Sequence, residues 1–168
     1  MSEIEQFPHL DEAGRARMVD VGDKRVTERR AVAEGRIRMN AATLAAIRDG
    51  AIAKGDVLAV ARIAAIGGAK RTADLIPLCH PLPLHAVSVD IEPEEDPPGL
   101  RIRVETRTEA RTGVEMEALC GVGAGLLAVY DMCKGRDRAM ELEEIRLLEK
   151  DGGRSGSWRR EGSDPPSR

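Results

Sequence analysis

The sequence predicts an α+β domain in which an antiparallel sheet carries helices on one face, and two observations predict it. First, four segments alternate apolar with polar residues, which is the period of a half-buried strand. Second, helical segments stand between these strands, so that the order along the chain is β-αα-β-β-α-β. That order is the split β-α-β, or ferredoxin-like, arrangement.

Each strand is predicted from its own alternation. The first lies at 31–39, where Ala, Gly, Ile and Met alternate with Val, Glu and Arg. The second and third form a hairpin over 86–107, around the turn sequence EEDPPG. The fourth lies near 140–149 and ends at Asp151-Gly152-Gly153.

Two helices are predicted between the first and second strands. Asn40 caps a short helix, AATLAAIRD, which Gly50 ends. A longer helix at about 56–73 begins at Gly55-Asp56 and is rich in Ala, Val and Ile. The segment IPLCHPLPLH that follows carries three prolines, so it is predicted to be irregular.

A further helix, at 114–134, is apolar on more than one side. No residue between Ala118 and Tyr130 carries a charge, so we expect a second subunit to cover the side away from the sheet. Gly121, Gly123 and Gly125 lower helix propensity by up to ~1 kcal/mol each, and close approach of a neighbour would explain them. The stripe that should face the sheet comprises Leu119, Val122, Leu126, Val129 and Cys133.

Composition bounds the kind of protein. The 168 residues suffice for one domain, which we place at 15–156, between a flexible arm at 1–14 and a disordered tail at 157–168. Three aromatic residues leave a core of small side chains, which favours subunit association. Three cysteines, no apolar signal core and no apolar run of ~20 residues indicate a cytoplasmic protein without a membrane span. The net charge of −3 argues against a polyanion-coating protein.

Asp131 and Lys134 end the apolar helix and, at i and i+3, share one side of it. One interpretation is a surface ion pair worth a few tenths of a kcal/mol. The other is a desolvated pair with perturbed pKa values, which suits general acid–base catalysis. The sequence leaves both interpretations open.

Two further segments are candidates for ligand binding. Glu115 and Glu117 suit the positive N-terminus of their helix, or they hydrogen-bond the guanidine-like edge of a nucleobase. The glycine-rich turn at 150–156, KDGGRSG, combines backbone N–H groups with Lys150 and Arg154, as an anion site does. A flexible exit into the tail explains the same turn.

Cys79 and His80 lie in the least generic stretch of the chain, residues 70–82. His80 precedes a proline, so its backbone is extended, and backbone hydrogen bonding is one role for its side chain. Adjacent side chains in an extended segment point apart, which argues against a Cys–His nucleophilic pair. No C-x-x-C or H-x-x-x-H spacing is present, so no metal site is predicted.

Eight segments of the chain form a long, ordered set of motifs: Met18–Val21, Lys54–Val57, Ala61–Ala64, Lys70–Thr72, Asp74–Leu82, Thr112–Leu119, Tyr130–Lys134 and Gly152–Gly156. Together these segments resemble the MoaC family, the cyclic pyranopterin monophosphate synthases of molybdenum-cofactor biosynthesis. The resemblance runs from about residue 9 to residue 157.

The resemblance implies a reaction and an assembly. Members of the family convert 3′,8-cyclo-7,8-dihydroguanosine triphosphate, made by a partner radical-SAM enzyme, into cyclic pyranopterin monophosphate, and pyrophosphate leaves. The implied class is a phosphorus–oxygen lyase that requires no redox cofactor. Its members are hexamers, trimers of dimers, with active sites at the dimer interface. The sequence leaves open whether Mg²⁺ accompanies the triphosphate.

The resemblance also implies the site residues. Asp131, Lys134 and Lys54 fall on catalytic positions, and we expect Lys134, positioned by Asp131, to be the main acid–base group while Lys54 assists. Cations are expected to hold the phosphates and to stabilise the leaving charge. The implied substrate-binding residues are Leu78, Cys79, His80, Met116, Glu117, Glu115, Arg29, Lys70, Lys150 and Arg154.

Three other functions fit parts of the sequence. RNA-recognition domains share this topology, but the predicted strands carry no aromatic residue on which bases could stack, so no nucleic-acid partner is expected. A metal-dependent cyclohydrolase is disfavoured by the missing zinc-ligand spacing. A catalytically silent guanine-nucleotide-binding regulator of the same fold stays open, and in it the Asp131–Lys134 pair is only structural.

Overall fold

The computed structural model describes residues 13–162, in which one sheet carries helices on one side. The sheet order is β2-β3-β1-β4-β5, and all neighbouring strands are antiparallel. The first four strands have the ferredoxin-like order, which confirms the predicted fold class. In chain order the elements are β1 Thr27–Arg38, α1 Ala41–Arg48, α2 Val57–Lys70, α3 Thr72–Leu75, β2 Ala86–Glu95, β3 Pro98–Ala110, α4 Glu115–Cys133, β4 Glu141–Asp151 and β5 Trp158–Arg159.

The predicted helix starts are confirmed by their caps. The Asn40 side chain accepts a hydrogen bond from the Thr43 N–H at 2.7 Å and opens α1. Asp56 opens α2 in the same way through the N–H of Ala59, at 2.9 Å. The single helix predicted at 56–73 is instead two helices, because the backbone leaves the helical region at Arg71, with φ of −111°.

The prediction of a structureless tail is wrong at Trp158–Arg159, which form β5. These residues pair with Lys150 and Glu149 of β4, and the Arg159 guanidinium binds the Glu149 carboxylate at 3.1 Å. This pairing depends on the reversal of the chain at the glycine-rich turn, so it could not be predicted from the polar composition of the segment. Residues 1–12 of the expected arm and residues 163–168 of the expected tail lie outside the described residues.

The central strand β1 is built to lie beneath α4. Ala31, Ala33 and Ile37 alternate on its helix-facing side and are fully buried. Gly35 stands among them because a Cβ there would lie 2.7 Å from Val122 Cγ1 of α4. Because the residues on this side of β1 are mostly small, α4 packs directly against the sheet through its predicted apolar stripe.

Two glycines of α4, Gly121 and Gly125, are explained by α2 of the same chain, whereas a Cβ at Gly123 would meet nothing within 4 Å. A Cβ at Gly121 would lie 3.1 Å from the carbonyl oxygen of Ala65, and one at Gly125 would lie 3.3 Å from Ala65 Cβ. In return, a Cβ at Gly68 of α2 would lie 2.5 Å from Ala124 Cβ. The expectation that a second subunit covers all of the side away from the sheet is therefore corrected: α2 covers part of it.

The face of the sheet opposite the helices is covered by ion pairs. Glu34 in β1 is only 3% exposed and binds Arg103 of β3 at 3.3 Å and Arg146 of β4 at 2.9 Å. Burial alone would raise the pKa of Glu34, but the hydrogen bonds from these two arginines outweigh it and lower the pKa. Further arginines of β1 on this face likewise have partners of opposite charge on the other strands: Arg30, Arg36 and Arg38.

Helix α4 has the length and the apolar composition of a membrane span, with a mean hydropathy of 1.4 over its best window. Its buried residues pack against the sheet and α2, as those of a core helix in a globular domain do. The same composition therefore has a packing explanation within this chain.

Candidate active site

One candidate cluster lies where the last turn of α4 meets the turn before α2. Asp131 binds two lysines at once, Lys134 through Oδ1 at 2.6 Å and Lys54 through Oδ2 at 2.9 Å. Lys134 follows Asp131 by three residues on the helix, and Lys54 comes from a turn that contains Gly55 at φ +103°. The structure thus brings together all three residues expected to be catalytic.

The charged state of this Lys54–Asp131–Lys134 cluster follows from its contacts. Hydrogen bonds from Lys134 and Lys54 lower the pKa of Asp131 to about 2, and Asp131 raises the pKa of Lys134. In the single chain all three side chains are about half exposed, so the Asp131–Lys134 pair is not desolvated. At neutral pH the cluster is therefore one carboxylate between two ammonium groups, a net positive site suited to an anionic ligand.

A second cluster lies at the opposite end of α4, around Glu117. The Glu117 side chain lies in a cavity of about 110 Å³ between α2, α3 and the irregular segment after α3. Glu117 is 4% exposed, and its burial raises the pKa to about 7, with the charge of Glu115 adding to the effect. Unlike Asp131, this carboxyl is therefore partly protonated near neutral pH. The cavity is lined by Lys70, Arg71, Thr72, Asp74, Pro81 and Leu82 besides Glu117.

The segment Leu78-Cys79-His80 borders this second cluster. The Cys79 N–H donates to the Ile76 carbonyl at 3.0 Å, and further along the Thr108 hydroxyl donates to the carbonyl of Pro83. Burial raises the pKa of the Cys79 thiol, and the nearby Glu117 carboxylate adds to the shift. A thiol with a raised pKa is a poor nucleophile, so this geometry suits contact with a ligand rather than covalent catalysis.

Three of the expected phosphate-binding cations lie around the glycine-rich turn. Arg29 at the start of β1 donates to the Ala110 carbonyl at 3.3 Å and to the Arg111 carbonyl at 3.4 Å, just before α4. Lys150 donates to the Gly156 carbonyl at 2.7 Å, and Arg154 is exposed on the turn. The expected anion site is thus at the end of the domain where α4 begins.

The two ends of α4 are too far apart to share one small ligand. Glu117 and Asp131 are separated by fourteen residues, which is about 20 Å along an α-helix. The cavity beside Glu117 is also smaller than the ~300 Å³ or more typical of a ligand pocket. One copy of the chain therefore does not assemble all of the expected site residues around a single ligand.

Several residues at these clusters were not singled out by sequence reasoning. Arg71, Thr72, Asp74 and Leu82 line the Glu117 cavity. All four lie inside the segments 70–72 and 74–82, so the list of expected ligand-binding residues could have been extended to them from the sequence. Among residues 13–162, no group of three or more His, Cys, Asp or Glu side chains is arranged to hold a metal ion.

Fold and site together define a ferredoxin-like protein with cationic side chains at both ends of its core helix, a class suited to small anionic ligands. Residues 18–153 match the model of the MoaC family, and the chain belongs to that family. Relatives named cyclic pyranopterin monophosphate synthase are similar over nearly their whole length. The protein of Brucella melitensis biotype 2 is 57% identical over 162 residues, 96% of this chain and 97% of the relative. That of Brucella ovis is 58% identical over 153 residues, 91% and 93% of the two chains.

Proposed function

We propose that this chain is a cyclic pyranopterin monophosphate synthase of molybdenum-cofactor biosynthesis. It converts 3′,8-cyclo-7,8-dihydroguanosine triphosphate, supplied by a radical-SAM enzyme, into cyclic pyranopterin monophosphate and pyrophosphate. A ribose hydroxyl attacks the phosphorus nearest the ribose, and the bond to pyrophosphate breaks, which makes the enzyme a phosphorus–oxygen lyase. The observation that carries the proposal is the Lys54–Asp131–Lys134 cluster in a member of this family.

Lys134 is the main acid–base group in this proposal. Asp131 holds the ammonium at 2.6 Å and keeps it protonated in the free chain, so Lys134 begins as a proton donor. Lys54, held to the other carboxylate oxygen, gives the site a second ammonium. Burial beneath the substrate or a second subunit lowers the pKa of a lysine, which is how Lys134 returns to the neutral form during turnover.

The other end of α4 binds the substrate. We assign the phosphates to Arg29, Lys70, Lys150 and Arg154, whose charges stabilise the departing pyrophosphate. We assign the base to the segment 78–80 and to the first turn of α4 at 115–117. Glu117, partly protonated at neutral pH, both donates and accepts hydrogen bonds there. We propose that no resident cofactor is needed, and turnover with and without a chelator measures the contribution of Mg²⁺.

A complete site requires two copies of the chain, because the two clusters are about 20 Å apart in one copy. Ile63 of α2 and Leu127 of α4 are 72% and 61% exposed on the outer helical face. Gly123 lies on the same face, where a Cβ would meet nothing within 4 Å. Two α4 helices that cross antiparallel near Gly123 place Glu117 of each copy opposite Asp131 of the other, because position 124 is midway between them. We propose this dimer as the unit of a cytoplasmic homohexamer.

A coupled assay tests the proposed activity. GTP, a radical-SAM cyclising enzyme and this protein are incubated together, and cyclic pyranopterin monophosphate and pyrophosphate are measured. Product from wild type, and none from Asp131→Ala or Lys134→Ala proteins whose oligomers stay intact, supports the synthase and its central pair. Intermediate bound without product by a correctly assembled wild type instead supports the silent regulator.

A further inference from the structure

The segment Gly152–Arg160, which we call the strap, doubles back along the end of β4. Gly152, Gly153 and Gly156 adopt left-handed backbone conformations, with φ of +96°, +76° and +61°. The turn closes through the Gly156 N–H, which donates to the Gly153 carbonyl at 3.2 Å. The strap then pairs as β5, and the Arg160 N–H donates to the Leu148 carbonyl at 2.8 Å. The strap is therefore an ordered part of the domain.

The strap holds the ammonium group of Lys150. Lys150 Nζ donates to Ser155 Oγ and to the Gly156 carbonyl oxygen, the latter at 2.7 Å. An ammonium group has three N–H donors, and these two contacts use two of them. The third N–H stays available to an anion. The strap therefore orients the Lys150 ammonium group and leaves it able to bind a ligand.

The strap also sets the position of Arg29. A Cβ at Gly153 would lie 1.9 Å from Arg29 Nη1, so the guanidinium lies directly against this glycine. Its Nε and Nη2 donate to the carbonyls of Ala110 and Arg111. Arg29 is thus held between the strap on one side and the entry to α4 on the other. Glycine suits position 153 for two reasons: the turn requires a left-handed φ there, and a side chain would collide with the guanidinium of Arg29.

We propose that Ser155 and Gly153 are positioning residues that aim Lys150 and Arg29 at the phosphates of the substrate. This inference rests on the proposed function, since that function assigns phosphates to these two cations. Ser155 acts through its hydroxyl on Lys150, and Gly153 acts by leaving room for the guanidinium of Arg29. Neither residue touches the substrate. The strap therefore determines affinity for the triphosphate, while the Lys54–Asp131–Lys134 cluster carries the proton transfers.

Inorganic tripolyphosphate is a probe that separates phosphate binding from turnover. Its affinity is measured by titration calorimetry for wild type and for Ser155→Ala, Ser155→Thr and Gly153→Ala. We expect Ser155→Ala to weaken binding by about tenfold, as for one lost hydrogen bond to a charged group. Ser155→Thr keeps the hydroxyl and should restore wild-type affinity. Ser157→Ala, an exposed serine of the same strap, is the matched control and should bind as wild type does.

Steady-state kinetics in the coupled assay give a second readout. Loss of positioning at the phosphates should raise KM for Ser155→Ala by a larger factor than it lowers kcat. Gly153→Ala should lose more affinity than Ser155→Ala, because the added methyl displaces Arg29. Wild-type affinity in Ser155→Ala, or no rescue by Ser155→Thr, overturns the inference. A wild type that makes product but does not bind tripolyphosphate overturns it too, and leaves the proposed activity standing.

Discussion

Lys54 binds Asp131 twice, once at the carboxylate and once at the main chain. Its ammonium lies 2.9 Å from Asp131 Oδ2 and 2.7 Å from the Asp131 carbonyl oxygen. The carbonyl belongs to the last turn of α4, where helical carbonyls need partners from outside the helix. Lys54 therefore both neutralises the carboxylate and ties the turn before α2 to the end of α4.

Replacing Lys134 with arginine should abolish turnover while keeping the charge. Arginine does not deprotonate in proteins, so it pairs with Asp131 but transfers no proton. We expect a fall in kcat of about 10²- to 10⁴-fold, measured as cyclic pyranopterin monophosphate formed in the coupled assay. Lys24→Arg changes an exposed lysine in the same way and serves as the control. Full turnover by Lys134→Arg would rule out the acid–base role.

Asp131→Asn removes the carboxylate that both lysines share. Without it the pKa of Lys134 should fall, because hydrogen bonding to Asp131 is what raises it. Because Lys134 must be protonated to act as the proton donor, we expect the alkaline limb of the pH–rate profile to move to lower pH. We also expect kcat at its optimum to drop by about 10²-fold or more. Rates measured from pH 5 to pH 10 test both effects, with Asp23→Asn, at an exposed turn residue, as the control. An unchanged profile would contradict the assigned role of Asp131.

The buried carboxyl of Glu117 should make stability depend on pH. The pKa of Glu117 is raised from 4.5 to about 7. Its contribution to the free energy of unfolding is therefore complete below pH 4.5 and is lost as the pH rises through 7. Glutamine does not ionise, so Glu117→Gln does not suffer this loss. From pH 4 to pH 8, its free energy of unfolding should therefore rise by about 3 kcal/mol relative to that of wild type. Urea unfolding at both pH values measures the difference, and Glu109→Gln, at an exposed carboxyl, should show none. A difference between wild type and Glu117→Gln that stays constant from pH 4 to pH 8 would show that the pKa of Glu117 is the same in the folded and unfolded chain.

Glu34 should be the most costly carboxylate to neutralise on the charged face of the sheet. Glu34→Gln leaves Arg103 and Arg146 without their shared partner, and Arg103 Nε is already buried without a hydrogen bond. We expect a loss of about 2–3 kcal/mol in the free energy of unfolding, measured in urea. Glu141→Gln removes the carboxylate of an exposed pair with Arg38 and should cost less than about 1 kcal/mol. Equal effects of the two substitutions would show that burial does not strengthen the Glu34 interactions.

Mixing two inactive variants tests whether each site is shared between copies. Asp131→Ala and Glu117→Ala proteins should each lack activity, and hybrid dimers should contain one intact site out of two. Random mixing at equal amounts therefore restores about a quarter of wild-type activity. The variants are unfolded and refolded together, and hybrids are confirmed by native mass spectrometry. Hybrids without activity would show that the two clusters do not meet across this interface.

The fold was accessible to sequence reasoning because its signals are local. The alternation in β1, the caps Asn40 and Asp56, and the stripe of α4 each concern residues a few positions apart. Such spacings are set by the geometry of one strand or one helix. The Asp131–Lys134 pair belongs to the same category, since the two residues are three positions apart on one helix.

What depended on contacts between distant segments was decided only by the tertiary structure. Sequence reasoning explained the glycines of α4 by the close approach of a neighbour. At Gly121 and Gly125 that neighbour is α2 of the same chain. The hydroxyl of Ser155 on Lys150, the guanidinium of Arg29 on Gly153 and the pairing of β5 follow from how the strap turns. The amino-acid sequence alone was enough to predict the order of the elements and the residues proposed as catalytic. Packing decided which of those residues meet and how exposed and how charged they are, because burial and electrostatics depend on every segment that surrounds a group.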